Sequence, residues 1–282
     1  ADFVVANGLG LEESLLDPIE QAEAAGVPVL EATDAITVRS FGEGGSDGGH
    51  DQAEGTSDHD HAEDYDHAEA ESADEHAEEG DDRNTAEDHD RDSSAGATDG
   101  GEGHGHEGHS HEGGDPHFWV DPVSMREVVV ALTARLTAEL GLDLKASSAA
   151  LQAELEQLDA RTRETLSAIP PERRLLVTGH ESMGYFASRY DFVLVGALIP
   201  ATNSQAAPSA AELAELRKQI QDLGVPAIFN ELGTPPALSR AISEETGVRV
   251  VELATHSLPA DGSYATFIDE IARGIVDGLG RP

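Results

Sequence analysis

The chain has 282 residues, with 56 Asp and Glu against 17 Lys and Arg, a formal net charge of −39. So acidic a molecule repels phosphate backbones and anionic lipid, and neither nucleic acid nor a charged membrane surface is expected as a partner. There is no cysteine, which excludes disulfide scaffolds, thiolate metal sites and a lipid-bearing cysteine within this sequence, and no apolar run approaches the ~20 residues of a membrane span.

Phe3 to Ala6 is an apolar run closed by Asn7-Gly8 and reads as a buried strand followed by a turn. Opening in a strand, with no secretion signal ahead of it, the chain is expected to lack natural N-terminal sequence. Glu12 to Ala25 has helical spacing (Leu15, Leu16, Ile19, Ala22) and stops at Gly26. Val27 to Leu30 and Ile36 to Val38 read as strands, so the alternation predicts a parallel α/β layer.

Ten of the thirteen histidines then fall between Phe41 and Gly114. From Glu43 to Glu112 there are 25 acidic residues against Arg83 and Arg91, with Tyr65 the one large apolar side chain. Ordering these some 70 residues would cost on the order of 100 kcal/mol, and no core is available to offset it. The insertion at 43–112 is therefore expected to be disordered without a ligand. Histidines among carboxylates, His104, His106, His109 and His111 above all, predict weak metal capture in many arrangements.

Ser124 to Leu140 is predicted as an amphipathic helix stopped by Gly141, and Leu144 to Ala168 as a long helix with Leu151, Leu155, Leu158 and Leu166 on its apolar stripe. The long helix is either a packed surface helix or a backbone joining two lobes. From Arg174 the alternation restarts, with strands at Leu175–Val177, Phe192–Leu198, Ala227–Phe229 and Val248–Leu253. Helices are predicted at Met183–Tyr190, Ala210–Gln221, Pro235–Thr246 and Tyr264–Leu279, which together make a doubly wound α/β lobe. Ligands of such sheets sit outside the carboxyl ends of the strands.

Three histidines lie outside the insertion, each at a turn of this kind. His117 stands between two Asp-Pro pairs in Asp115-Pro-His-Phe-Trp-Val-Asp-Pro122, where proline stiffens the turn. His180 follows a predicted strand by Thr-Gly, and His256 follows another by Ala-Thr. Neutral imidazole is a favoured zinc ligand, so a shared site is expected at His117, His180 and His256. Glu231 ends a strand and either caps a helix or supports a ligand from behind; Asp115 and Asp121 read as turn and capping residues. Ser182 in Gly179-His-Glu-Ser-Met-Gly184 has the wrong glycine spacing for a hydrolase elbow. A zinc hydrolase would need Glu181 or Glu231 as its general base.

At this point the motifs resemble a family, the zinc/manganese-binding solute receptors of bacterial ABC metal-uptake transporters. Asp2 to Glu12 is similar to that family's opening strand and turn, and Asp115 to Pro122 to its second ligand motif. Thr178-Gly-His-Glu-Ser-Met-Gly-Tyr-Phe186 resembles the third, and Ile228 to Glu231, Leu253 to Leu258 and Gly262 to Tyr264 resemble the last segments. The resemblance implies two Rossmann-like lobes joined by a long backbone helix, the N-terminal lobe incomplete. The boundaries would be 1–122 for a partial N-terminal lobe carrying the insertion, 123–168 for helices including the linker, and 169–282 for the C-terminal lobe.

It implies an extracytoplasmic, monomeric zinc receptor, periplasmic or at the cell surface, delivering to a membrane permease, with no catalysis. Its metal would be held by His117, His180 and His256, with Glu231 behind them. Two departures stand out. The family's first ligand histidine precedes the start of this chain, and its final ligand is usually an aspartate, where His256 stands here. An all-nitrogen set favours zinc over manganese. Affinity is expected to fall below pH ~6.5 as imidazoles protonate. The alternative from a different class is a zinc-storage or buffering protein acting through the histidine-rich segment.

Overall fold

The computed structural model describes residues 1–41, 114–199 and 208–280. The insertion at 43–112, including His104, His106, His109 and His111, lies outside the described residues. Strand β1 (Val4–Ala6), helix α1 (Leu16–Ala24) and strand β2 (Val29–Glu31) come first, and β1 and β2 pair in parallel as a two-stranded sheet. Helices α2 (Pro122–Leu140) and α3 (Lys145–Leu166) follow. Then come β3 (Leu175–His180), α4 (Gly184–Arg189), β4 (Val193–Ile199), α5 (Ala210–Leu223), β5 (Ala227–Glu231), α6 (Pro236–Thr246), β6 (Arg249–Leu253) and α7 (Tyr264–Leu279).

The four later strands form one parallel sheet in the order β4-β3-β5-β6. One apolar layer packs Val177, Leu198 and Ile228 against Leu216 and Ile220 of α5 and Ile242 of α6. The other packs Leu176 and Phe229 against Leu158 of α3, Phe186 of α4 and Ile268, Ile271 and Ile275 of α7. Helices on both faces make the sheet doubly wound, as the alternation of apolar runs predicts. The chain runs from β3 outward to β4, then returns to place β5 on β3's other side. That reversal puts a crevice at the carboxyl ends of β3 and β5, where α/β sheets bind ligands.

Helix ends follow local chemistry. Asp121 accepts a bond from the Val123 N–H with Pro122 in the first turn, and Gly141 stops α2 at φ 66°. Ser209 and Glu212 form a reciprocal capping box on α5. Three expectations need correction. Ile36–Val38 is not a strand: Ala32–Ala35 is a 3₁₀ turn, and the backbone of Arg39 bonds to the Asp115 N–H and to the Tyr185 hydroxyl rather than to a neighbouring strand. Leu151 is 42% exposed, so the buried leucines of α3 start at Leu155. β1 is not fully buried, since Val5 is 51% exposed.

Candidate metal centre

His117 is fixed by its own turn. The Asp115 carboxylate accepts a bond from the His117 backbone N–H at 2.8 Å and lies 2.7 Å from its Nδ1, and both residues are buried. The turn is pinned from outside by three further bonds. The Asp115 N–H donates to the Arg39 carbonyl, the Tyr185 hydroxyl to the Asp115 carbonyl, and the Asn7 amide to the Pro116 carbonyl. Asp121, besides capping α2, accepts both arms of the Arg189 guanidinium at 2.9 Å. Asp115 and Asp121 are thus the turn and capping residues expected, and Asp115 also orients an imidazole, a role sequence reasoning missed.

His180 ends β3 and is buried. Its backbone N–H donates to Glu231 Oε2 at 3.1 Å, and its Nδ1 lies 3.2 Å from the same oxygen, off the line of a well-directed hydrogen bond. Glu231 ends β5, so it lies at the strand end and not at the start of a helix. Its other oxygen accepts from the Ser182 hydroxyl and from the Thr255 hydroxyl, the latter at 2.7 Å. Burial alone would push this carboxyl up. The His180 imidazole, the Ser182 hydroxyl and the His180 N–H together hold it below its ordinary value.

His256 lies three residues past β6 and is an exposed residue. Its Nδ1 is 2.8 Å from the Thr255 hydroxyl. Desolvation, then His180 and His117, lower its pKa to about 4 against the opposing pull of Glu231. Trp119 ties the loops together: its indole N–H donates to the Thr255 carbonyl, and the Tyr264 hydroxyl donates to the Trp119 carbonyl. Beside His256 an apolar cleft of about 560 Å³ is lined by Leu11, Trp119, Met125, Leu258, Tyr264 and Phe267.

The three imidazoles from these separate turns converge. One ring nitrogen from each of His117, His180 and His256 lies within 4.8 Å of the other two. Nitrogens sharing an ion at about 2.1 Å stand about 3.4 Å apart in a tetrahedral arrangement, a spacing within the 4.8 Å limit observed here. Each Nδ1 faces an oxygen, of Asp115, Glu231 or Thr255. That leaves the Nε2 edges for a cation. The carboxylates of Asp115 and Glu231 stand behind the rings with two negative charges to set against a divalent ion. Both oxygens of the buried Glu231 carboxylate are already accepting hydrogen bonds.

Fold and site together define an α/β protein in which three imidazoles able to hold a metal meet at the switch point of a parallel sheet. The chain belongs to the family described as ZnuA, zinc-uptake complex component A, periplasmic, whose match runs over residues 1–278. This is a family of binding receptors for transport, not of enzymes. The chain is 33% identical over 181 residues to the zinc-binding protein TroA of Treponema pallidum, covering 59% of this chain and 58% of that one. It is 27% identical over 173 residues to the high-affinity zinc uptake system protein ZnuA of Paracoccus denitrificans, with coverages of 59% and 52%. A manganese-binding lipoprotein, MntA of Halalkalibacterium halodurans, is 26% identical over 175 residues, with coverages of 59% and 58%. The chain thus spans between half and three-fifths of the length of these relatives.

In fold, a crystal structure of ZnuA matches 99% of this chain and 80% of its own at TM-score 0.65 and 20% identity. The periplasmic zinc-binding protein TroA from Treponema pallidum matches 100% and 82% at TM-score 0.64 and 20% identity. Among the described residues no helix is long and apolar enough to cross a membrane.

Proposed function

We propose that this protein captures a divalent transition metal, zinc in preference to manganese, outside the cytoplasm and hands it to a membrane permease of the ABC type. His117, His180 and His256 hold the ion, Asp115 orients His117, and Glu231 orients His180. In this reading α3 is the backbone between an N-terminal lobe ending near 122 and a C-terminal lobe from 169, and the receptor works as a monomer. The observation that carries the reading is the convergence of three imidazoles within 4.8 Å at the switch point. An all-nitrogen set supports zinc, because manganese favours oxygen ligands. The names of the relatives, zinc-binding and high-affinity zinc uptake proteins among them, point the same way.

Calorimetry with zinc and with alanine variants of the three histidines tests it. A complete structural zinc site of four ligands is worth about 10–16 kcal/mol, so each ligand contributes roughly 2.5–4 kcal/mol. Each variant is expected to lose about 10²–10³-fold in affinity at the tight site. If all three variants keep wild-type affinity, the metal is held elsewhere and the assignment falls.

A further inference from the structure

We infer that Thr255 makes His256 a competent metal ligand, because its hydroxyl bridges the His256 ring to the Glu231 carboxylate and selects the tautomer that leaves Nε2 unprotonated. The inference rests on the reading of the three histidines as the capture site. Thr255 is fully buried, with its hydroxyl oxygen 2.7 Å from Glu231 Oε1 and 2.8 Å from His256 Nδ1. A hydroxyl has one proton to give, and a carboxylate can only accept it. Toward His256 the hydroxyl must therefore accept, so Nδ1 carries the ring proton and the lone pair lies on Nε2.

The other two rings face carboxylates directly, His117 facing Asp115 and His180 facing Glu231. Among the described residues no carboxylate bonds to the His256 ring, and Thr255 extends the reach of Glu231 to it. One buried anion thereby reaches the ends of two different strands, taking the His180 N–H at the end of β3 and, through Thr255, the His256 ring beyond β6. Without the hydroxyl the partly exposed His256 ring is free to place its proton on the nitrogen the metal needs.

The test compares Thr255→Val, which keeps the shape and removes the hydroxyl, with Thr255→Ser, which keeps the hydroxyl. Two readouts on the full chain serve: the His256 tautomer in metal-free protein by ¹⁵N–¹H multiple-bond NMR at a pH where the ring is neutral, and zinc affinity by competition with a chromophoric chelator. Thr255→Val is expected to shift the ring proton to Nε2 and to weaken zinc binding about 10–100-fold. Thr255→Ser is expected to retain both wild-type properties. Retention of the Nδ1 proton and of zinc affinity in Thr255→Val would overturn the inference. So would an equal loss in Thr255→Ser, which would make the methyl group's packing the contribution. Should the valine variant fail to fold, Thr255→Ala carries the same readouts. Failure of wild-type protein to bind zinc at these histidines would overturn the receptor reading and with it the metal role given to Thr255, whereas a changed tautomer in Thr255→Val, read without metal, would still establish the hydroxyl's hold on the ring.

Discussion

Gly184→Ala should weaken metal binding although it adds a single methyl group at the start of a helix. A β-carbon at Gly184 would lie 2.6 Å from Asp115 Oδ2, where ordinary contact begins at 3.4 Å. The two groups must therefore part by about 0.8 Å, the difference between those distances. Asp115 has no room to yield, because its other oxygen is engaged by the His117 N–H at 2.8 Å and faces Nδ1 at 2.7 Å, and the residue is 1% exposed. Any movement of the carboxylate is passed to the imidazole. Two effects on stability oppose one another. Replacing glycine inside a helix gains about 0.5–1 kcal/mol, and less at the first position. Overpacking a filled site costs about 1–3 kcal/mol. The clash wins over most of these ranges, for a net loss of up to about 2 kcal/mol in metal-free protein. Displacing a group that orients a ligand costs about 10–100-fold in affinity. Thermal unfolding without metal and chelator competition with zinc measure the two parts separately. A variant as stable as wild type that binds zinc equally well would show that Asp115 is slack, and the account of His117 as a rigidly aimed ligand would fail.

Other consequences follow from the same geometry. The His256 pKa of about 4 lies below the ordinary value of ~6.5, so between these values the unfolded chain binds more protons than the folded one. Stability of the metal-free protein should fall as pH drops through that window, and His256→Asn should flatten this part of the melting-temperature profile; an unchanged profile would refute the shift. It follows too that proton competition at His256 sets in nearer pH 4 than the pH ~6.5 expected from sequence. Trp119 is the single tryptophan, with its ring 5.1 Å from His117 and 5.8 Å from His256. Its fluorescence should change on zinc addition and saturate at one equivalent per chain, and a signal that keeps changing beyond that would contradict a single site beside it. Deleting residues 43–112 should leave the tight site intact and remove weak binding, so loss of tight binding in calorimetry would show that the insertion supplies a ligand.

Much of the architecture was legible because helix and strand periodicity are local properties. α7 runs from Tyr264 to Leu279 as its apolar spacing predicts, and α2 ends at Gly141 because only a left-handed residue closes the helix there. Ile36–Val38 misled because an apolar run becomes a strand only beside a partner, and at Arg39 the backbone groups were taken by Asp115 and Tyr185. Leu151 misled in the same way, since whether a turn of α3 is covered depends on what packs against it.

The three histidines stood out because they alone lie outside the insertion, each near a strand end or a stiffened turn. How they are held could not be read along the chain. Ser182 reaches Glu231 across 49 residues, and Thr255 reaches it across 24. Residue types and spacing singled out the three histidines that the fold brings within 4.8 Å of one another. Only the folded sheet, by bringing the ends of β3, β5 and β6 together, decided which oxygen faces each ring, because hydrogen bonds act over ångströms in space and not over distance in sequence.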